Sequence, residues 1–234
     1  MHDKILKEIL SFKNIEKDAI LSRFFKTGPG QYGEGDMFLG ITVPISRKIA
    51  HKYGDIKLIE VEKLIKNKYH EVRLIAILIL VYKYKQSKND SEKKIIVNFY
   101  LKNTRYINNW DLVDLSAHYI LGDYLINKDK KILEKLSKSK NIWERRISII
   151  STFAFIYNSE NKWTFKIVNV LMSDEHDLIQ KACGWMLRES GKRVSEKELM
   201  SYLDTNYNKM PRTMLRYAIE RLPENKRLYY LKLK

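Results

Sequence analysis

Apolar residues recur at every third or fourth position along most of the chain. The stretch 72–80 illustrates this spacing, which is typical of helices that bury one face. Polar breaks that contain capping residues, such as QSKND (86–90) and NSEN (158–161), separate the apolar stretches. After residue 55 the chain has only three glycines and two prolines, too few breakers for a protein of strands and turns. The pattern therefore predicts an all-α protein of about fourteen helices.

Several of these helices look like copies of one unit. Aligning them on Arg73, Asp114, Arg145, Gln180 and Arg216 gives spacings of roughly 31 to 41 residues, in the range of helical-pair repeats. The copies are HEVRLIAILIL (70–80), WDLVDLSAHYIL (110–121), IWERRISIISTF (142–153), HDLIQKACGWML (176–187) and RTMLRYAIERL (212–222). We expect a HEAT-like helical-repeat solenoid, an α-α superhelix whose concave face is an extended binding surface.

The segment 26–44 departs from the repeat pattern, with five of the nine glycines and two of the four prolines. Its Gly28-x-Gly30-x-x-Gly33 formally matches a dinucleotide-binding motif, which needs a preceding strand. Here the lead-in IEKDAILSRFF is helical, and the acidic EGD that follows would repel phosphate. We therefore expect no cofactor, and a connection that positions Tyr32, Met37 and Phe38.

These observations predict one HEAT-like repeat domain over residues 1–234. The N-terminal helices and the glycine-rich loop would occupy residues 1–54, and the stacked repeats residues 55–234. The N-terminal MHDKILKEILSFK is too charged for a signal peptide, and no apolar run approaches the roughly 20 residues that span a bilayer. We expect a cytoplasmic protein with no membrane partner.

Charge points to a polyanionic partner. The chain has 44 Lys and Arg against 28 Asp and Glu, which gives a formal net charge of +16 and a pI near 9.6. Such an excess is typical of proteins that bind nucleic acid, although a lysine-rich surface can also serve solubility alone. The single Cys183 excludes an intrachain disulfide and a multi-cysteine zinc site, and the five histidines show no metal-ligand spacing. No metal site is expected.

The stretch NNWDLVDLSAHYILG (108–122) carries the main candidate chemistry. An asparagine begins it as a cap candidate, and Asp111 lies in the first turn, where the helix dipole favours negative charge. Asp114 lies past that turn in an apolar helix body and needs another explanation. At helical spacing Trp110 and Asp114 share one face.

The next two repeats place further candidates at corresponding positions. These candidates are Trp143, Arg145, Arg146, Trp185 and Arg188. If successive repeats stack in register, they and Asp114 would line one strip of the concave face. Each has a structural alternative, because the tryptophans can be packing residues and Arg146 can simply pair with Asp114.

With these motifs the sequence resembles the AlkD-type DNA alkylation repair family, the HEAT-like alkylpurine DNA glycosylases. The resemblance covers most of the chain and rests on YGEGDMFLGITVPISRKIA (32–50), WDLVD (110–114), IWERR (142–146) and IQKACGWMLRES (179–190). It implies that Trp110, Asp114, Arg146 and Trp185 line a DNA-binding cleft, with Asp114 as the catalytic carboxylate. Tyr32, in the corresponding N-terminal segment, and Arg145, Trp143 and Arg188 are further candidates.

The resemblance also implies an activity. A bacterial-type, nucleoid-associated monomer would excise cationic N3- and N7-alkylated purines from double-stranded DNA, as the first step of base excision repair. It would need no obligate protein partner and no deep pocket for a flipped base, and it would discriminate against neutral lesions such as uracil.

Two other functions stay open from the sequence. The first is a non-catalytic HEAT-repeat scaffold that binds nucleic acid, since one fold can serve several functions. The second is a protein-binding HEAT adaptor. Salt dependence separates them, because about six phosphate contacts give a log–log slope near −5 and an apolar protein interface gives far less.

Overall fold

Helices follow one another along the whole computed structural model, which describes residues 1–233. In that range no strand occurs, and the only extended pairing is an isolated parallel bridge between Met37 and Tyr69. The all-α prediction is confirmed. No helix of the described chain is both long and apolar enough to cross a membrane.

The chain divides into two compact units, Met1–Ser116 and Ala117–Lys234. This division falls inside the repeat region that the sequence analysis placed at 55–234. The single repeat domain over 1–234 stays a prediction.

The first unit is built around one buried helix. Its helices are α1 (His2–Leu10), α2 (Ile15–Phe24), α3 (Val43–Lys52), α4 (Leu58–Ile65), α5 (His70–Gln86), α6 (Asp90–Lys102) and α7 (Trp110–Asp114). Almost the whole length of α5 is buried, and α3, α4 and α6 pack against it. A helix that is apolar on all sides is stable only when neighbours cover it, so α5 is the core of this unit.

Helix α2 is the exception, because none of its residues is buried. Ile15, Ile20 and Phe24 are 76%, 67% and 60% exposed. The helix is attached at its start, where the Asn14 N–H donates to the Leu39 carbonyl at 2.8 Å and the Asn14 side chain accepts from the Lys17 N–H at 3.0 Å. Helix α2 therefore has a defined attachment at its start and leaves much of its apolar surface uncovered.

The second unit continues the helical pattern. After a π-helical turn at His118–Gly122 come α8 (Asp123–Leu125), α9 (Lys131–Ser137), α10 (Ile142–Ser151), α11 (Phe153–Tyr157), α12 (Lys162–Val170), α13 (Asp177–Arg193), α14 (Glu196–Asn206), α15 (Arg212–Ala218) and α16 (Glu224–Lys232). Helix α13 packs against α10, α14 and α15. A Cβ at Gly184 would collide with Met214 and Tyr217, so this glycine permits the close approach of α13 and α15.

Three of the aligned repeat positions make the same contact. The Arg73 guanidinium donates to the carbonyls six and five residues earlier, at 3.0 and 3.1 Å. Arg145 does the same at 2.9 and 3.2 Å. The Gln180 amide reaches the carbonyl six residues earlier at 3.0 Å. Each ties the turn before a helix to that helix, and this shared contact supports the repeat alignment.

Asp114 occupies the aligned position in α7 but cannot make this contact, because an ionised carboxylate only accepts hydrogen bonds. At this position the repeat that contains α7 has a hydrogen-bond acceptor, where three other repeats have a donor that binds the preceding turn. The structural role seen at Arg73, Arg145 and Gln180 therefore does not explain Asp114.

A glycine at position 40 is required for the attachment of α2. Gly40 has a φ of +75°, and a Cβ there would overlap the Asn14 carbonyl oxygen. Gly30 has a similar φ of +73° but nothing within 4 Å of the same position. The two glycines share a backbone constraint and differ in the space around them.

We predict that Gly40→Ala lowers the free energy of unfolding by roughly 2 to 5 kcal/mol, the sum of left-handed backbone strain and overpacking. Gly30→Ala, the matched control, should cost only the backbone contribution of about 1 to 2 kcal/mol. Urea unfolding of both variants measures the difference. Equal losses of stability in the two variants would mean that the nearby Asn14 carbonyl does not restrict the side chain at position 40.

Candidate functional site

Helix α7 is a short helix with a defined start. Asn109 is its N-cap, and the Asn109 side chain accepts from the Trp110 N–H at 2.8 Å. Leu112 and Val113 are fully buried, whereas Trp110 and Asp114 are half-buried. The predicted asparagine cap is confirmed, and the helix buries one face while Trp110 and Asp114 remain accessible.

Trp110 and Asp114 line one pocket in the first unit, with a volume of about 550 Å³. Its walls are mainly apolar and come from α2, the segment 38–44, α5 and α7. The sequence did not indicate this pocket, because α2 and the glycine-rich segment, which form part of its wall, stand outside the repeats. The absence of a deep pocket for a flipped base stays a prediction.

The indole of Trp110 is held by aromatic neighbours. Phe25 stacks on it with ring centroids 5.3 Å apart and planes at 22°. Phe24, at the end of α2, meets it edge-on at 5.8 Å. Phe25 also stacks on Phe38 at 5.0 Å. Because both geometries are favourable for aromatic pairs, the position of Trp110 depends on the N-terminal segment.

A buried carboxylate organises the segment that forms one pocket wall. Glu71, 1% exposed at the start of α5, accepts from the backbone N–H groups of Leu39, Gly40 and Ile41 at 2.9, 2.9 and 3.1 Å. Three donors satisfy a carboxylate that would otherwise be costly to bury. Sequence reasoning missed Glu71, although an acidic residue opening so apolar a helix was a visible signal.

A second buried network links the glycine-rich segment, α5 and α7. His70 is 1% exposed. Its Nε2 lies 2.8 Å from a carboxylate oxygen of Asp111, and its Nδ1 lies 3.3 Å from one of Asp36. Asp36 also accepts from Arg73 at 2.6 Å. The dipole explanation of Asp111 is therefore incomplete, because this side chain is also a tertiary partner of His70.

The charges in this network stabilise one another. Burial alone would lower the pKa of His70, but the charge of Asp111 and hydrogen bonds to Asp111 and Asp36 raise it to about 9. Burial likewise opposes ionisation of Asp36, yet the hydrogen bond from His70 and the charge of Arg73 hold the pKa of Asp36 below its usual range. At neutral pH the His70 ring is a cation that donates from both nitrogens.

The arginine candidates of the second unit have structural contacts. Arg146 is 5% exposed, and its Nη1 donates to the Leu178 carbonyl at 2.6 Å. Arg145 donates from Nε to Asp174 at 2.6 Å, in addition to its contact with the preceding turn. Arg188 pairs with Glu220 and with Glu189. These contacts all join residues of the second unit, and a role of the three arginines in binding DNA stays a prediction.

The remaining aromatic candidates differ in accessibility. Trp143 is 7% exposed, as expected of a packing residue. Trp185 is half-buried and meets Phe153 edge-on at 5.7 Å. Tyr32 is half-buried, with the Lys26 ammonium 5.9 Å from its ring centroid. Cys183 is fully buried, which raises the pKa of its thiol, and it packs in the core.

The structure thus brings Trp110 and Asp114 together in the first unit and places Arg146 and Trp185 in the second. The arrangement of all four along one strip stays a prediction. Among residues 1–233, no group of three His, Cys, Asp or Glu side chains is placed to hold a metal ion.

The sequence matches the family model of "DNA alkylation repair enzyme" over residues 5–222. Three chains of solved structures are similar in fold, and one of them is a predicted DNA alkylation repair enzyme from Enterococcus faecalis. That chain is 17% identical, with a TM-score of 0.68 over 91% of this chain and 97% of its own. At this identity the likeness concerns the fold alone. No curated protein matches the sequence.

We predict that Glu71→Gln lowers the free energy of unfolding by about 2 to 3 kcal/mol, because an amide replaces one acceptor oxygen with a donor that faces backbone N–H groups. Glu16→Gln, on the exposed face of α2, is the matched control and should change stability by less than about 0.5 kcal/mol. Urea unfolding measures both. A Glu71→Gln protein as stable as the control would contradict the role of this carboxylate.

Proposed function

Because the chain belongs to the family of DNA alkylation repair enzymes, we propose that it is a monofunctional DNA glycosylase for cationic N3- and N7-alkylated purines in duplex DNA. The observation that carries the proposal is the pairing of a half-buried indole, Trp110, with a half-buried carboxylate, Asp114, on one helical turn at one pocket.

A carboxylate in such a place fits the chemistry of the lesion. Alkylation at N3 or N7 leaves a positively charged base that departs readily. Cleavage of the N-glycosidic bond then passes through an oxocarbenium-like sugar, as in other glycoside hydrolysis. A carboxylate about 4 Å from that cation, at an effective dielectric near 20, stabilises it by roughly 4 kcal/mol. Acting only in the transition state, this corresponds to about a thousandfold in rate.

Asp114 is the pocket carboxylate best suited to this role. Glu71 is 1% exposed and accepts from three backbone N–H groups. Asp111 is 7% exposed and is bound by His70. Asp114 alone of the three is half-buried. A water molecule oriented by Asp114 would attack the sugar, and a base that already carries positive charge leaves without a general acid.

Trp110 would pack its indole face against the same sugar. An aromatic face attracts a cation within about 6 Å of the ring centroid, so the indole adds to the attraction that Asp114 supplies. The stacking of Phe25 on Trp110 favours one orientation of that face.

Residues of the second unit would complete the DNA contact. Trp185 is half-buried and has an indole surface available for the backbone or sugar. Arg146 is a less direct candidate for a phosphate contact, because it is 5% exposed and one N–H is bound to the Leu178 carbonyl. The formal net charge of +16 supports an electrostatic contribution from the remaining basic surface.

We predict that Asp114→Asn slows release of 7-methylguanine from a duplex by about a thousandfold, because the amide cannot stabilise the sugar cation. DNA affinity should stay equal or increase, since a negative charge is removed. Single-turnover kinetics and a binding titration measure the two quantities. Asp129→Asn, a substitution at a side chain that is 66% exposed, is the matched control and should behave as wild type.

Two results would refute this assignment. Parallel loss of excision, binding and stability in Asp114→Asn would make Asp114 a structural residue. Salt-sensitive binding by the wild-type protein without release above the spontaneous rate would favour the non-catalytic scaffold.

A further prediction concerns the lesion. Uracil in the same sequence context should be released at no more than the spontaneous rate, because a neutral base is a poor leaving group without a general acid. A time course on paired duplexes containing 7-methylguanine or uracil measures the ratio. Uracil release at a comparable rate would exclude a mechanism that depends on the charge of the lesion.

A further inference from the structure

One aspartate with a buried side chain holds the start of α7. Asp36, in the glycine-rich segment, accepts from the side-chain amides of Asn108 and Asn109 at 3.3 and 3.2 Å. It also lies 3.3 Å from the His70 ring, which in turn contacts Asp111 in the first turn of α7. The residues just before α7 and its first turn are therefore tied to α5 through a single set of polar contacts.

The His70 ring is also linked to Trp110 through aromatic contacts. The His70 ring stacks on Phe38 at 4.6 Å and lies tilted against Phe25 at 4.9 Å between centroids. Phe25 then stacks on Trp110 at 5.3 Å. A cationic imidazole over aromatic faces is held by cation–π attraction as well as by packing. The His70 side chain thus contacts both the Asp111 side chain, in the first turn of α7, and the aromatic stack that holds the indole.

We propose that His70 is a positioning residue, an imidazolium clamped between Asp36 and Asp111 that sets the place of Trp110 and Asp114. Its effect on excision rests on the proposed glycosylase function. Its effect on the position of Trp110 is a property of the protein alone.

This role predicts a dependence on pH. The charged groups around the ring are Asp36 from the glycine-rich segment, Asp111 from α7 and Arg73 from α5, with the two carboxylates outweighing the guanidinium. The pKa of His70 is raised from 6.5 to about 9 on folding. The stabilising contribution is therefore complete below about pH 6.5 and is lost as pH rises through about 9. Above that pH the neutral ring has one N–H and can donate to only one of its two carboxylates.

Nuclear magnetic resonance of the full chain tests the clamp without DNA. The ring signal of His70, identified by its absence in His70→Asn, should titrate near pH 9. The indole N–H signal of Trp110, identified by Trp110→Phe, should shift with the same midpoint. Asp36→Asn should lower both midpoints together. His51→Asn, a substitution at an exposed histidine, is the control and should leave both unchanged.

Kinetics extend the test to the reaction. In His70→Asn the single-turnover excision rate should fall at least tenfold while DNA affinity stays within twofold. The wild-type rate should fall towards that of the variant above pH 9, after correction for the spontaneous rate. If His70→Asn does not fold, the wild-type titration and Asp36→Asn decide the question.

Titration of His70 near pH 6.5, or a Trp110 signal indifferent to that titration, would overturn the proposal. A folded His70→Asn variant that excises the lesion at the wild-type rate would also overturn the proposal. A protein with no excision at all but coupled His70 and Trp110 midpoints would refute the glycosylase assignment and leave the clamp standing.

Discussion

A buried cation between two carboxylates determines how the candidate site is held. Charges inside a protein are tolerated only when paired and hydrogen-bonded. Here Asp36 and Asp111 balance His70 and Arg73, so the cluster has no formal net charge at neutral pH. Removing any one member would leave an uncompensated buried charge. The cluster therefore requires the glycine-rich segment, α5 and α7 to meet in one arrangement.

Such a network does not add much stability by itself, because apolar residues of similar volume often stabilise a core as well as a buried ion pair does. The network instead fixes the positions of the segments that it joins, because hydrogen bonds have preferred directions and apolar contacts do not. Helix α7 is only five residues long, too short to hold its own shape through backbone hydrogen bonds alone. Its position must come from its neighbours, and the polar contacts at its first turn provide that constraint.

Much of the fold was predictable because its signals are local. Apolar spacing of three and four indicated the helices, and the asparagine before Trp110 marked the start of α7. The contacts of Arg73, Arg145 and Gln180 agree with the repeat alignment. Helical spacing placed Trp110 and Asp114 on one face, and both line one pocket.

The parts that sequence reasoning missed depend on contacts between distant residues. His70 is 34 residues from Asp36 and 41 from Asp111, and no periodic pattern connects them. Arg145 has contacts that its charge alone does not reveal, because Asp174 and the preceding turn bind it. Its role as a DNA contact stays a prediction. The pocket has no signal in the repeat pattern because α2, which forms one of its walls, lies outside the repeats and exposes several apolar residues.

That apolar wall bears on how the proposed enzyme would select its substrate. Attraction between Asp114 and a cation is weak in water and becomes stronger where apolar side chains exclude water. Ile20, Phe24 and Leu115 line the same pocket as the carboxylate and create such surroundings. A cationic base leaves without protonation and so allows the sugar cation that Asp114 stabilises to form, whereas a neutral base without a general acid is a poor leaving group. Selectivity for alkylated purines would then come from the charge of the lesion, with no need for hydrogen bonds that read the base.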